Sequence, residues 1–246
     1  MLIIDLRLAI PLMTPKELAQ FCREQLGGEA KRSGGIFYSK PELLKRGDVY
    51  LMGYNPGGDS GSPISEELDN HFAKSVSDYE QIWQHRSGTN DDGTLRHRDV
   101  ERSTRYQRGL KEFTALLGYQ PGQIFMTNLI FFQSHDGKGV KYKQDSETCW
   151  PIHEKMLNVV KPKIIVAVGN GNAGSAYTKL LQQKRHTIEP SSKVVKEANH
   201  GKYQLKGFRF SEDNRDVMVL GLPHFSYYNV KPNQYLLKQF INDLAR

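Results

Sequence analysis

The amino-acid sequence predicts an α/β protein, a three-layer αβα domain around a four-stranded, mostly parallel central sheet. Three observations carry that expectation. Four short apolar runs lack the polar alternation of a half-exposed strand, as strands buried on both faces do. Stretches with helical period separate them, which is the βαβ arrangement of a parallel sheet. Each run also ends in or beside small, polar or turn-forming residues. The 246 residues can bury a large core, and a single domain spanning 1–246 is expected.

In chain order, Thr14-Pro15-Lys16-Glu17 combines a capping box with proline at the first helical position. Leu18, Phe21, Cys22 and Leu26 then form a helical stripe that Gly27-Gly28 stops. Residues 29–47, basic and glycine-rich, read as a surface connection into the first strand. That strand, Val49-Tyr50-Leu51-Met52, breaks into Gly53-Tyr54-Asn55-Pro56-Gly57-Gly58-Asp59. Pro56 keeps Asn55 out of the helical region, and the glycines let the backbone approach a ligand or adopt positive φ.

A long stretch of about 60–103 follows, rich in Ser, Gly, Asp and His, with Phe72, Tyr79 and Trp83 spaced along it. So long a connection within a domain reads as an insertion or lid, with a short helix near 66–82 and a densely charged part at 88–105. Helical period returns from Thr104, with Tyr106, Leu110, Phe113 and Leu117 on one face and Gly118 at the end. The second strand is Ile124 to Phe132, and Asn128 within it needs partners: it either ties down a loop or faces a ligand. A helix is expected over 146–160.

Lys163 to Val168 is the third strand, and the Gly169-Asn170-Gly171-Asn172-Ala173-Gly174 turn after it opens a helix to about Gln183. Its glycines satisfy G-x-G-x-x-G and raise a dinucleotide-binding alternative. Two features oppose it: the motif follows the third strand rather than the first, and no acidic residue closes a second strand about 20 residues later. Residues 184–212 are basic, with a hairpin suggested around His200-Gly201. The fourth strand, 216–222, ends at Pro223-His224-Phe225-Ser226-Tyr227-Tyr228, and a last amphipathic helix covers 233–244.

Composition limits the function classes. The excess of 34 Lys and Arg over 27 Asp and Glu, +7 in all, favours a polyanionic partner. Cys22 and Cys149 lie far apart, the eight histidines show no ligand-pair spacing, and neither a metal nor a cofactor is expected. No apolar run reaches membrane-spanning length and the N-terminal stretch lacks a signal-peptide layout, so a cytoplasmic location is expected.

Taken together, Gly53-Tyr54-Asn55-Pro56-Gly57 resembles the G-x-N-P-G motif of the uracil-DNA glycosylase superfamily, in its mismatch-specific and single-strand-selective branches. Pro223-His224-Phe225-Ser226 is similar to that superfamily's H-P-S loop, and Thr127-Asn128 to its base-reading Asn after an apolar strand. The resemblance covers roughly residues 48–230. It implies a uracil-DNA glycosylase-like fold and a monofunctional hydrolase of base excision repair that acts on uracil, or a related deaminated or mismatched base, flipped out of DNA.

The resemblance also implies roles for individual residues. His224 would donate a hydrogen bond to the departing base, and Asn55 would hold the attacking water; as a departure from the family pattern, the nearby acidic Asp59 is the alternative water-activating group. Tyr54, Gly57, Phe72 and Asn128 would bind the base, Phe72 as stacking platform with Tyr79 behind it. Ser226, Tyr227 and Tyr228 would contact DNA, the two tyrosines as a wedge in the vacated stack. Gly57 stands where stricter members place a bulky Tyr, which implies tolerance of 5-substituted pyrimidines. Phe225 stands where the family has Pro, which implies a looser loop. A monomer with DNA as partner is expected, and the alternative is a non-catalytic base- or DNA-binding protein on the same fold.

Overall fold

The computed structural model describes residues 13–58, 61–80, 103–135, 137 and 139–246. Its centre is a six-stranded sheet in the order β2-β1-β3-β6-β5-β4. The strands are β1 (Val49–Gly53), β2 (Phe125–Asn128), β3 (Ile164–Val168), β4 (Val194–Glu197), β5 (Gln204–Glu212) and β6 (Arg215–Leu222). The four strands read from the sequence are present and mutually parallel. The expectation of four strands is nevertheless corrected to six, because residues 184–212 add two antiparallel strands beside β6. Their polar alternation reflects an edge position: β4 is half-exposed along its length. The hairpin turn does fall at 199–201, where Asn199 and Gly201 take positive φ.

The described helices are α1 (Pro15–Leu26), α2 (Ile64–Asn70), α3 (Arg105–Leu116), α4 (Tyr142–Val160), α5 (Ala176–Gln183) and α6 (Gln234–Ala245). Strand alternation divides the core into two faces. Tyr50, Met52, Ile165, Ala167, Val217 and Val219 pack with α1, α4 and α5. Val49, Leu51, Met126, Val166, Val168 and Leu220 pack with α3 and α6. The result is the three-layer αβα arrangement.

Three element boundaries differ from expectation, each for a local reason. The helix expected near 66–82 is α2 followed by two 3-10 turns, 71–73 and 78–80. α4 starts at Tyr142 rather than 146, because the buried Asp145 carboxylate accepts the Lys141 N–H at 2.8 Å and closes its first turn. Past Asn128 the chain leaves strand geometry, yet Leu129 and Ile130 still donate to the Gly53 and Tyr54 carbonyls. The outer edge of β2 is covered by residues 34–39: the Tyr38 N–H donates to the Met126 carbonyl, and the Thr127 hydroxyl donates to the Ile36 carbonyl. Residues 81–102, which include Trp83 and most of the charged part of the expected lid, lie outside the described residues.

Candidate functional site

In a sheet ordered β2-β1-β3-β6 the chain runs from β1 outward to β2, then crosses back to β3 on the other side. That reversal leaves a crevice outside the carboxyl ends of β1 and β3. Register places the candidate residues around it. Gly53 pairs with Asn128, while Met52, Ala167 and Gly221 form one row across β1, β3 and β6. Asn55 and His224 each lie three residues beyond that row. Two strand spacings of about 4.8 Å put their backbones roughly 10 Å apart on opposite sides of β3.

The Asn55 loop is held by the segment that follows β2. The Ser134 N–H donates to the Pro56 carbonyl at 3.0 Å. The Gln133 side chain donates to the Gly57 carbonyl at 2.9 Å and accepts the Gly61 N–H at 2.7 Å. Asn55 Nδ2 donates to the Pro56 carbonyl at 2.8 Å and the Ser134 carbonyl at 3.4 Å. Its donor side is thereby occupied, and Oδ1 has no hydrogen-bond partner among the described residues. Space is open beside Gly57, where an added Cβ would meet no atom within 4 Å. Asp59 lies outside the described residues.

Asn128 is buried on the α3/α6 face, and its amide lies over Gly53 so closely that a Cβ there would sit 2.1 Å from Asn128 Oδ1. Gly53 is glycine for this close approach. The Asn128 amide lies beside the Tyr38 hydroxyl and opposes the rise that burial gives its pKa. From there a row of rings crosses the crevice. Tyr38 and Tyr79 stand 5.9 Å apart, Tyr79 and Tyr106 5.5 Å, and Tyr106 and His224 4.9 Å between centroids. Burial raises the pKa of all three tyrosines, and the Tyr79 and Tyr106 hydroxyls influence one another's. Contacts therefore run unbroken from Asn128 through the tyrosines to His224. Asn55 is not in that chain; its amide faces the loop after β2.

The His224 loop is well anchored. His224 Nδ1 accepts the Ser226 N–H at 3.2 Å, so the neutral ring carries its proton on Nε2. Burial lowers its pKa and favours that neutral form. The His224 carbonyl accepts from both the Tyr227 and Tyr228 N–H groups. Phe225 is fully buried, with its ring 5.8 Å from those of Tyr106 and Phe113. The expected looseness from losing Pro is thus corrected: burying an aromatic side chain tethers the loop instead. Tyr227 is 60% exposed and available to a partner, but Tyr228 is 1% exposed, which corrects its expected role as a wedge. Arg105 steadies this loop by donating to Asn229 Oδ1 at 3.0 Å.

Two other expected base contacts lie apart from the tyrosine row. Phe72, 37% exposed, follows α2 with its ring edge-on to His71 at 5.6 Å. Tyr54 points to the opposite face of the sheet, stacked on Tyr142 at 6.4 Å. The aromatic surface beside His224 belongs to Tyr106, Tyr79 and Tyr38. Of these only Tyr79 was singled out from sequence. The signal for Tyr106 was a phenol on the buried stripe of a helix, whose hydroxyl needs a partner.

The glycine-rich turn after β3 is structural. Asn170 Nδ2 donates to the Gln204 and Gly221 carbonyls, and α5 begins only at Ala176, with Ser175 capping the Thr178 N–H. The helix terminus that would face a pyrophosphate is therefore capped from within the chain. Among the described residues no group of His, Cys, Asp and Glu could hold a metal ion. No described helix is long and apolar enough to cross a membrane. Comparison of the chain with protein-family models and with curated proteins gives no match.

Proposed function

We propose that the crevice at the carboxyl ends of β1, β2 and β6 receives a base flipped out of DNA, and that the protein hydrolyses its N-glycosidic bond, with uracil or a related deaminated base as substrate. The observation that carries this reading is the state of His224: a neutral ring, its Nδ1 occupied by Ser226, with Nε2–H left as donor on the far side of β3 from Asn55. Breaking the C1′–N bond moves negative charge onto the base and positive charge onto the sugar, so a fixed donor at the base oxygen stabilises the transition state. Water supplies hydroxyl to C1′, and its proton leaves with the base. Asn55 Oδ1 orients that water by accepting a hydrogen bond, and an amide cannot take the proton, so most of the rate rests on stabilising the leaving group.

In this reading the Watson–Crick edge of the base pairs with the Asn128 amide, and Tyr106 provides the stacking surface. Tyr227, exposed, contacts the DNA from which the base has come. Space beside Gly57 admits substituents at the pyrimidine C5.

The test is alkali-labile strand breakage in oligonucleotides carrying uracil, thymine mismatches, hypoxanthine or xanthine. Breaks at one of these bases, lost in both Asn55→Ala and His224→Ala, support the reading. A specific observation favours one other possibility: the Asn128 side chain is buried beside the Tyr38 hydroxyl, as in a packed crevice that binds DNA without cutting it. DNA binding without breaks on any substrate would establish that binder in place of the enzyme.

A further inference from the structure

We propose that the amino-terminal edge of the sheet carries a second site, independent of the base crevice, that binds the oligophosphate group of a small ligand. A cavity of about 410 Å³ opens there, lined by Arg46, Lys161, Lys163 and Arg215 together with Asp48 and Asp216. Its cations come from three chain segments: the turn before β1, the link between α4 and β3, and the start of β6. β1 is five residues long, so the cavity lies roughly 17 Å from the crevice at its other end.

The charges are unequally committed. Asp48 is engaged by Lys163 at 2.9 Å and by the Tyr119 hydroxyl at 3.0 Å, and Asp216 accepts the Ser211 hydroxyl at 2.8 Å. Arg46 and Lys161 form no ion pair among the described residues. Arg215 pairs with Asp213 at 3.7 Å and donates to the Pro162 carbonyl at 3.4 Å, while its buried Nε has no hydrogen-bond partner among the described residues. An unmatched guanidinium N–H beside two unpaired cations is a polar deficit that an anion would fill. Lys161 also adopts φ +47°, a conformation that a lysine side chain makes costly and a glycine would take freely. A volume of several hundred Å³ exceeds what one phosphate needs and suits a pyrophosphate with part of its organic carrier.

The test is calorimetric titration of the full chain with sodium pyrophosphate at constant ionic strength, with sulfate as control. It is repeated on Arg46→Ala, on Lys161→Gly, and in the presence of a single-stranded oligonucleotide. Arg46 is exposed and Lys161→Gly relieves a positive φ, so both variants fold. Saturable one-to-one binding, weakened roughly tenfold or more in each variant and undisturbed by the oligonucleotide, is the expected result. Three results overturn the proposal: equal heats in all three proteins, equal binding of sulfate, or displacement of pyrophosphate by the oligonucleotide, which would assign the cations to the nucleic-acid backbone. None depends on glycosylase activity.

Discussion

Replacing Gly53 by alanine tests the geometry that joins β1 to β2 at the crevice. The new Cβ would lie 2.1 Å from Asn128 Oδ1, more than 1 Å inside ordinary contact, and neither side yields easily. The Gly53 backbone is fixed because its carbonyl accepts the Leu129 N–H at 2.9 Å. Asn128 is confined by its burial and by the Tyr106 hydroxyl, 3.8 Å from the same Cβ position. Overpacking of this kind costs about 1–3 kcal/mol. Asn128→Ala on its own removes the buried amide beside the Tyr38 hydroxyl and costs about 1–2 kcal/mol. In the double variant the added methyl group meets no amide, so the overpacking disappears. The two losses should then fall short of additivity by about 1 kcal/mol or more. Urea denaturation of the four proteins measures this directly. Simple additivity would refute the idea that Gly53 is glycine to admit the Asn128 amide.

Three further outcomes follow from burial and ring contacts. Burial holds His71 and His153 at pKa values of about 4, against an ordinary value of 6.5, so the unfolded chain binds more protons between those limits. Stability should be complete above pH 6.5 and fall as the pH drops toward 4, with a loss of roughly 2 kcal/mol per histidine already present at pH 5, visible as a shift of the urea midpoint. Phe225→Ala should cost about 3–5 kcal/mol of stability and release the His224 turn, which hydrogen exchange of the Tyr227 and Tyr228 amides would report as faster opening. Tyr106→Phe keeps the ring beside His224 but removes its hydroxyl; it should change stability by only about 1 kcal/mol, and base stacking should survive it in a quenching titration with a uracil-containing oligonucleotide.

Much of the architecture was legible in the sequence because a parallel strand buried on both faces has no polar residues to disguise it: Tyr50-Leu51-Met52 and Ile165-Val166-Ala167-Val168 are apolar throughout. β4 and β5 were less visible, since Val194-Val195-Lys196-Glu197 alternates like a surface segment and buries only one face. The positions of Asn55, Asn128 and His224 at strand ends could be read from where each apolar run stopped. Their relations could not. That Gly53 faces Asn128 is a matter of register, and an apolar strand hidden on both faces does not reveal its register. Tyr38 reads from sequence as part of a basic surface connection, and only the backbone bonding of residues 34–39 along β2 carries it to the crevice.

The polar groups at this rim exceed what folding requires. A layer built for stability alone would place phenylalanine at 38, 79 and 106, since each buried hydroxyl must find a partner merely to recover its lost hydration. Here three phenols stand ring beside ring, with Asn128 next to the first, and the row ends at a histidine whose second nitrogen has no hydrogen-bond partner among the described residues. A row of phenols leading from a buried amide to an imidazole suits a crevice that meets a polar ligand: on the proposed function, a base edge would offer these groups the donors and acceptors that a phenol or an amide offers.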